Sequence, residues 1–324
     1  MAANKHQPEI RKLCVIPGDG IGPEVTEEAV AVLRAVMRDV QIIYAEAGWE
    51  VFRRTGSAVP PATLEALRSC GAGLFGAVSS PSQFVPGYKS AILTMRQELN
   101  LHANIRPIDA RWSETAMDNV RLVIVRENTE DLYVGQETSD GEIAVARRVI
   151  SRNASKRIAR TACEVATRFR KSQIHIVHKA NVLPKTDGLF RDAAREAIEE
   201  YMTENHRSFE ISEGLVDIVA YRLVAQPKQF EVLVTTNMFG DILSDLAAYW
   251  CGGMGRAPSL NWGEGIALAE PVHGSAPDIA GKGIADPTAA ILSVALLCRL
   301  HWNDWRTADR IESLCERKLS ASSR

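Results

Sequence analysis

Apolar and polar positions along this chain follow two periods that take turns. Short apolar or β-branched runs at residues 12–16, 40–45, 72–78, 121–125, 174–178 and 232–235 have the length and composition of buried strands. Between them the apolar positions recur every three to four residues. That spacing predicts helices over 23–37, with Pro23 at the start, over 60–69, 151–169 and 189–202, and a long one starting near Asp241. The first strand runs into Pro17-Gly18-Asp19-Gly20, a loop that strand or helix would not tolerate. Strands alternating with helices predict the α/β class.

The length of 324 residues suits two domains or one large α/β unit, and 46% hydrophobic residues suffice for a sizeable core. A net charge of −2 leaves no electrostatic footprint for nucleic acid. The longest apolar stretches, such as residues 289–298, are too short to span a bilayer. Residues 1–12 are polar and charged, without the apolar core of a signal peptide. The expectation is a soluble, cytoplasmic protein with a small-molecule substrate and no nucleic-acid or membrane partner. Six cysteines form no CxxC pair, which favours buried reduced thiols over zinc or disulfides.

The sharpest local chemistry is Gly240-Asp241-Ile242-Leu243-Ser244-Asp245. On a helix Asp241 and Asp245 share a face, and two hard oxygen donors at that spacing suit Mg²⁺ or Mn²⁺. Placed in the first turn after Gly240, they would also face the positive end of the helix dipole. The plainer reading is an N-cap and a solvated carboxylate. Arg96, Arg106 and Arg126 are candidates for bidentate carboxylate binding, Arg96 preceding a helix and Arg126 ending a strand; each taken alone reads more readily as a surface arginine. Tyr133 follows the acidic stretch 127–131. Lys179 ends an apolar strand, where burial would lower its pKa and make it a base or proton relay. Core packing for Tyr133 and a surface cap for Lys179 are the alternatives. The Gly18-Asp19-Gly20-Ile21-Gly22 loop does not fit G-x-G-x-x-G. A second loop, His273-Gly274-Ser275-Ala276-Pro277-Asp278, offers backbone N–H groups to phosphates. Its Asp278 would accept from ribose hydroxyls and repel a 2′-phosphate.

Together these segments resemble the β-decarboxylating dehydrogenases: isocitrate, homoisocitrate and 3-isopropylmalate dehydrogenases. The resemblance rests on residues 16–24, 96–107, 126–130 and 178–182, then on 235–245 and 270–287, in family order. It implies a two-domain α/β fold with a mixed central sheet, not a Rossmann fold. The discontinuous first domain would span about 1–99 and 252–324, and the second, 100–251, would carry homodimer contacts. It implies Arg96, Arg106 and Arg126 as the carboxylate clamp. Asp241 and Asp245 would hold the metal, with Asp217 reaching in from the other subunit. Tyr133 would be the acid and the neighbouring subunit's Lys179 would assist proton removal. His273, Gly274, Ser275, Ala276, Asp278 and Asp286 would bind NAD rather than NADP. It implies an active enzyme rather than a non-catalytic regulatory subunit.

Three features depart from the family pattern: Asp286 replaces an asparagine, Tyr221-Arg222 replaces Ala-Met, and the sequence stops at Arg324 before a Thr-x-Asp-Leu-Gly-Gly stretch. For the substrate, Ser90, six residues before Arg96, favours the isocitrate/homoisocitrate branch because a serine hydroxyl can donate to a distal carboxylate. Ile92 and Leu93 favour 3-isopropylmalate, and Tyr221-Arg222 leaves room for another anionic malate derivative.

Overall fold

The computed structural model describes residues 10–83, 85–113 and 119–322, with side chains as far as Leu319. Most of the polar N-terminal stretch and the side chains of the polar C-terminal end lie outside the described residues. The chain runs β1 (Lys12–Gly18), α1 (Gly22–Val36), β2 (Gln41–Tyr44), α2 (Trp49–Thr55), α3 (Pro61–Cys70), β3 (Ala72–Ala77), α4 (Ala91–Glu98) and β4 (Ala103–Asp109). It continues through β5 (Arg121–Glu127), β6 (Glu137–Ser139), β7 (Ala144–Ala146), α5 (Arg152–Arg168), β8 (Gln173–His178), α6 (Thr186–Asn205), β9 (Glu210–Leu215) and α7 (Val216–Ala225). It ends with β10 (Val232–Thr235), α8 (Asn237–Ala247), β11 (Pro258–Gly263), β12 (Ile266–Pro271), α9 (Thr288–Leu300) and α10 (Trp305–Ser322).

Ten strands form one mixed sheet in the order β2-β1-β3-β12-β11-β4-β5-β10-β8-β9, and β6–β7 is a separate hairpin. The first four strands are mutually parallel. So are the last four. Because β11 is antiparallel to both β12 and β4, and β4 is antiparallel to β5, the two parallel blocks point in opposite directions. Both blocks use crossover helices, which cover the sheet faces and bury them. That is why every residue of β3, β10 and β12 is buried.

All six predicted strands and the earlier helices form within a few residues of their expected ends. The apolar run 289–298 is α9, in which every residue but Arg299 is buried against β11, β12, α1 and α10. It is a core helix, and no helix among the described residues is long and apolar enough to cross a membrane. All six cysteines are free, and five are buried.

Two histidines are enclosed with this core. Burial, reinforced by the nearby Arg157, pushes His102 down to about 4. Burial, with Arg222 and His178, does the same to His175 in β8, also to about 4. Both stay neutral when folded, whereas the unfolded chain protonates them below about 6.5. The unfolded state then binds more protons, so stability falls as pH drops from 6.5 toward 4. Urea midpoints should decline across that window. The decline should be shallower in a His102→Gln/His175→Gln variant, and an equally steep one would contradict this account.

Candidate functional site

The site assembles where β5 and β10 end and α8 begins. Arg126 is the second-last residue of β5 and only 1% exposed. Its Nε and Nη2 donate to Asn237 Oδ1 at 2.9 and 2.7 Å, and its Nη1 donates to Asp241 Oδ1. The helix can approach this closely because residue 240 is glycine: a Cβ there would lie 2.6 Å from the Cβ and Cγ of Arg126. Arg106 Nη1 donates to both Ser244 Oγ and Asp245 Oδ1 at 2.7 Å, and its Nε donates to Asn104 Oδ1. Arg96 Nη2 donates to Glu270 Oε1 at 2.6 Å. Tyr133 Oη donates to Asp241 Oδ2 at 2.5 Å, and its ring lies under the Arg126 guanidinium, 5.0 Å away.

Charge is therefore concentrated and mostly cancelled within the site. Burial, then the neighbouring Arg96 and Arg106, push Arg126 down to about 10, against the opposing pull of Asp241. Burial works to raise the Asp241 carboxyl, but Arg126, the Tyr133 hydroxyl, Arg106 and Arg96 outweigh it and hold the group below its usual range. Asp245 is held above its usual range by burial and by Asp241, despite Arg106. Burial and the bond to Asp241 raise the Tyr133 phenol. The Nε of Arg96 is buried with no partner. An orphaned cationic donor beside two more guanidiniums is chemistry that fits an incoming carboxylate.

Several expectations need correction. The helix begins at Asn237, so Asp241 is its fifth residue and lies beyond the first turn. The arginines, not the helix dipole, stabilise its charge. Arg96 lies inside α4 rather than before a helix. Lys179 is not enclosed by its strand end. Its side chain is 24% exposed and pairs with Asp217 of the same chain at 2.5 Å. Accordingly, no group of three histidine, cysteine or acidic side chains among the described residues of the single chain could hold a metal. Ser90 immediately precedes α4; its backbone carbonyl accepts from Thr94, and its hydroxyl finds no partner among the described residues.

The loop after β12 packs on the glycine loop after β1. Ile21 N donates to Ser275 O at 2.9 Å, Ser79 Oγ donates to Ser275 Oγ at 2.9 Å, and Ala276 has a φ of +39°. A Cβ on Gly20 would lie 2.0 Å from Ser275 O, so the glycines allow loop packing rather than phosphate approach. Gly274 and Asp278 are exposed. His273 Nδ1 lies 3.0 Å from Gly274 O, while its Nε2 is buried without a partner, and burial lowers its pKa. That orphan nitrogen and the open backbone beside it fit a polar, nitrogen-rich ligand edge. Asp286 is already engaged: it accepts from Thr288 N and Oγ1 at the start of α9 and from Arg256 Nε at 3.1 Å.

The chain matches the isocitrate/isopropylmalate dehydrogenase family over residues 12–324. The chain belongs to the isocitrate/isopropylmalate dehydrogenase family. Among its relatives, an isocitrate/homoisocitrate dehydrogenase of Thermus thermophilus is 48% identical over 97% of this chain and 92% of its own length. A 3-isopropylmalate dehydrogenase of Methanothermobacter thermautotrophicus is 46% identical, over 95% of this chain and 91% of its own. The solved structure of isocitrate dehydrogenase from Methylococcus capsulatus superposes with a TM-score of 0.88 at 42% identity, covering 95% of this chain and 91% of that one. The protein is thus an oxidatively decarboxylating dehydrogenase with this family's α/β fold.

For a dehydrogenase of this family, the sequence reading missed the residues that hold the arginines. Asn237, Asn104, Ser244 and Glu270 are all buried, and each bonds a guanidinium. Asn237 reads from sequence as an ordinary helix-start residue, and nothing local links Glu270 to Arg96 across 174 positions. Asn237→Ala removes the acceptor shared by two Arg126 nitrogens. It should lower stability to urea by roughly 1–3 kcal/mol and raise the KM for the hydroxy acid. No change in either would show that other contacts hold Arg126.

Proposed function

We propose that this dehydrogenase oxidises and decarboxylates a malate-core tricarboxylate, isocitrate or homoisocitrate, with NAD and Mg²⁺ or Mn²⁺. The cluster of Arg96, Arg106 and Arg126, with the unpartnered Arg96 Nε, carries the reading. Three guanidiniums whose present counter-ions are the protein's own carboxylates suit a ligand bearing several carboxylates of its own. Ser90, one element end away with a free hydroxyl, would donate to the third. The name of the Thermus relative supports this choice. Ile92, on α4 and partly buried against the core, and the name of the Methanothermobacter relative favour 3-isopropylmalate as the second reading.

In the reaction, hydride leaves C2 as the C2 hydroxyl loses its proton. The bond from C3 to the β-carboxylate then breaks, carbon dioxide departs, and C3 takes up a proton. When bound, NAD supplies the hydride acceptor, and a divalent cation held by Asp241, Asp245 and Asp217 of the partner subunit supplies Lewis-acid stabilisation of oxygen charge. The arginines hold the carboxylates so that C2 faces the cofactor. Tyr133, with its phenol raised by burial, keeps its proton at neutral pH and delivers it to C3. The partner subunit's Lys179 assists proton removal from the hydroxyl. The His273–Asp278 loop takes the cofactor. The exposed Asp278 followed by Ile279 favours NAD, because a carboxylate accepts from ribose hydroxyls and repels an added phosphate.

Sharing between subunits is supported by one face of the chain. Ile218, Tyr221 and Val224 on α7, Ile242 and Leu246 on α8, and Tyr249 in the turn just after it are exposed at helical spacing. A stripe of this size suits burial against a second copy. Tyr221, one of the departures from the family pattern, lies on it, one turn from Asp217. The division into residues 1–99 with 252–324 and residues 100–251 is supported by the sheet, whose first five strands come from the former and last five from the latter.

NADH formation with isocitrate, homoisocitrate, 3-isopropylmalate and D-malate tests the substrate. A tricarboxylate should win by at least roughly tenfold in kcat/KM, and NADP should be the poorer cofactor. A preference for 3-isopropylmalate would overturn the Ser90 argument. Asp241→Asn should abolish metal-dependent turnover while leaving the fold intact.

Mixing inactive Lys179→Ala and Asp241→Asn subunits tests the sharing. If Lys179 serves the opposite site, each mixed dimer contains one intact site, and activity should return to about a quarter of wild type. No recovery would place Lys179 in its own subunit's site.

A further inference from the structure

One part-buried guanidinium outside the arginine cluster joins the segments that present Tyr133, Lys179, Asp241 and Asp245. Arg148 follows the β6–β7 hairpin, and its side chain is 14% exposed. Its Nε donates to Asp131 Oδ1 at 2.5 Å, its Nη1 to Asp187 Oδ2, and its Nη2 to Thr236 Oγ1 at 3.1 Å. The face of the guanidinium lies 4.9 Å from the ring of Phe239. All three nitrogens are engaged by groups of the protein itself.

Each partner in turn holds a reactive segment. Asp131 is fully buried, with a φ of +70°, a conformation that a side chain other than glycine adopts only when its surroundings enforce it. Its Oδ1 accepts from Leu132 N at 3.0 Å and so caps the short turn Leu132–Val134 that carries Tyr133. Its Oδ2 accepts from Met238 N at 3.0 Å, in the first turn of α8, the helix that carries Asp241 and Asp245. Asp187, also fully buried, accepts at Oδ1 from Lys179 N at 2.7 Å. Thr236 is the residue immediately before α8. Two enclosed carboxylates with a single cation between them cannot drift apart without leaving a buried charge unpaired.

We propose that Arg148 is a positioning residue for the reaction, fixing from one point the turn of Tyr133, the backbone of Lys179 and the start of the helix that bears Asp241 and Asp245. The proposal rests on the roles given to those residues above. Since Lys179 serves the neighbouring site in that reading, the same guanidinium stands between a residue acting in its own site and one acting in the partner's. A lysine keeps the charge but offers one nitrogen where Arg148 uses three, so it cannot hold all the partners in register.

The test uses the whole enzyme with its substrate, NAD and Mg²⁺. Arg148→Lys should lower kcat by roughly a hundredfold, the loss that a displacement of about 1 Å produces. The KM values for hydroxy acid and NAD should stay within roughly threefold, since every group that binds them is intact. Combined with Tyr133→Phe, the loss should be smaller than the product of the two single losses, because part of the effect of Arg148→Lys runs through Tyr133. If Arg148→Lys does not fold, Arg148→Met with Asp187→Asn keeps the net charge of the cluster and carries the same measurements. Wild-type kcat in the folded variant overturns the proposal, and so do losses that multiply. Full turnover by Tyr133→Phe or Asp241→Asn would remove the roles on which it rests; inactive Tyr133→Phe and Asp241→Asn beside a fully active Arg148→Lys would remove Arg148 alone.

Discussion

A guanidinium enclosed at the end of a strand is the constraint around which the site is built. Stripping water from an arginine costs several kcal/mol unless its donors are matched. Arg126 has that matching from α8: Asn237 takes two nitrogens and Asp241 the third. The helix must therefore start at the end of β10 and lie directly on Arg126, which demands glycine at 240. Once the helix is so placed, its next turn delivers Asp245 to Arg106, and the Tyr133 hydroxyl meets Asp241. Positions of carboxylates, phenol and clamp all descend from that one ion contact.

The cation cluster also explains the state of the site. Arg96, Arg106 and Arg126 repel one another, and each is neutralised by an acid of the same chain: Glu270, Asp245 and Asp241. The three pairs leave the cluster nearly neutral within the single chain.

The sheet supplies the geometry. Its two parallel blocks run in opposite directions and meet across β11 and β4. At this junction the strands carry buried asparagines instead of apolar residues. Asn104 Nδ2 donates to Ser259 Oγ and Asn261 Oδ1, Asn128 Nδ2 also donates to Asn261 Oδ1, and the Oδ1 of Asn104 is left to orient Arg106. Buried amides are tolerable only when they satisfy one another. Here the network, in which Asn128 Oδ1 is the one amide oxygen left without a partner among the described residues, holds Arg106 in line.

Much was legible from residue order. Local periodicity set by backbone geometry specified the strands, the long helices and the α/β class, because each such element buries one face and shows it in sequence. Motif order carried the family, and the one-turn spacing of Asp241 and Asp245 put both on one helix face. Other features belonged to the tertiary structure. The boundary of α8 was displaced by four residues because Thr236 and Asn237 answer to Arg148 and Arg126, which are distant in sequence. Lys179 reads as buried from its strand but pairs with Asp217 at the surface. Glu270 finds Arg96, and Asp131 finds Arg148, only after the chain has closed. Periodicity records which face of an element is dry; it does not record which charge waits on the other side, since that partner comes from an element placed by packing rather than by neighbouring residues.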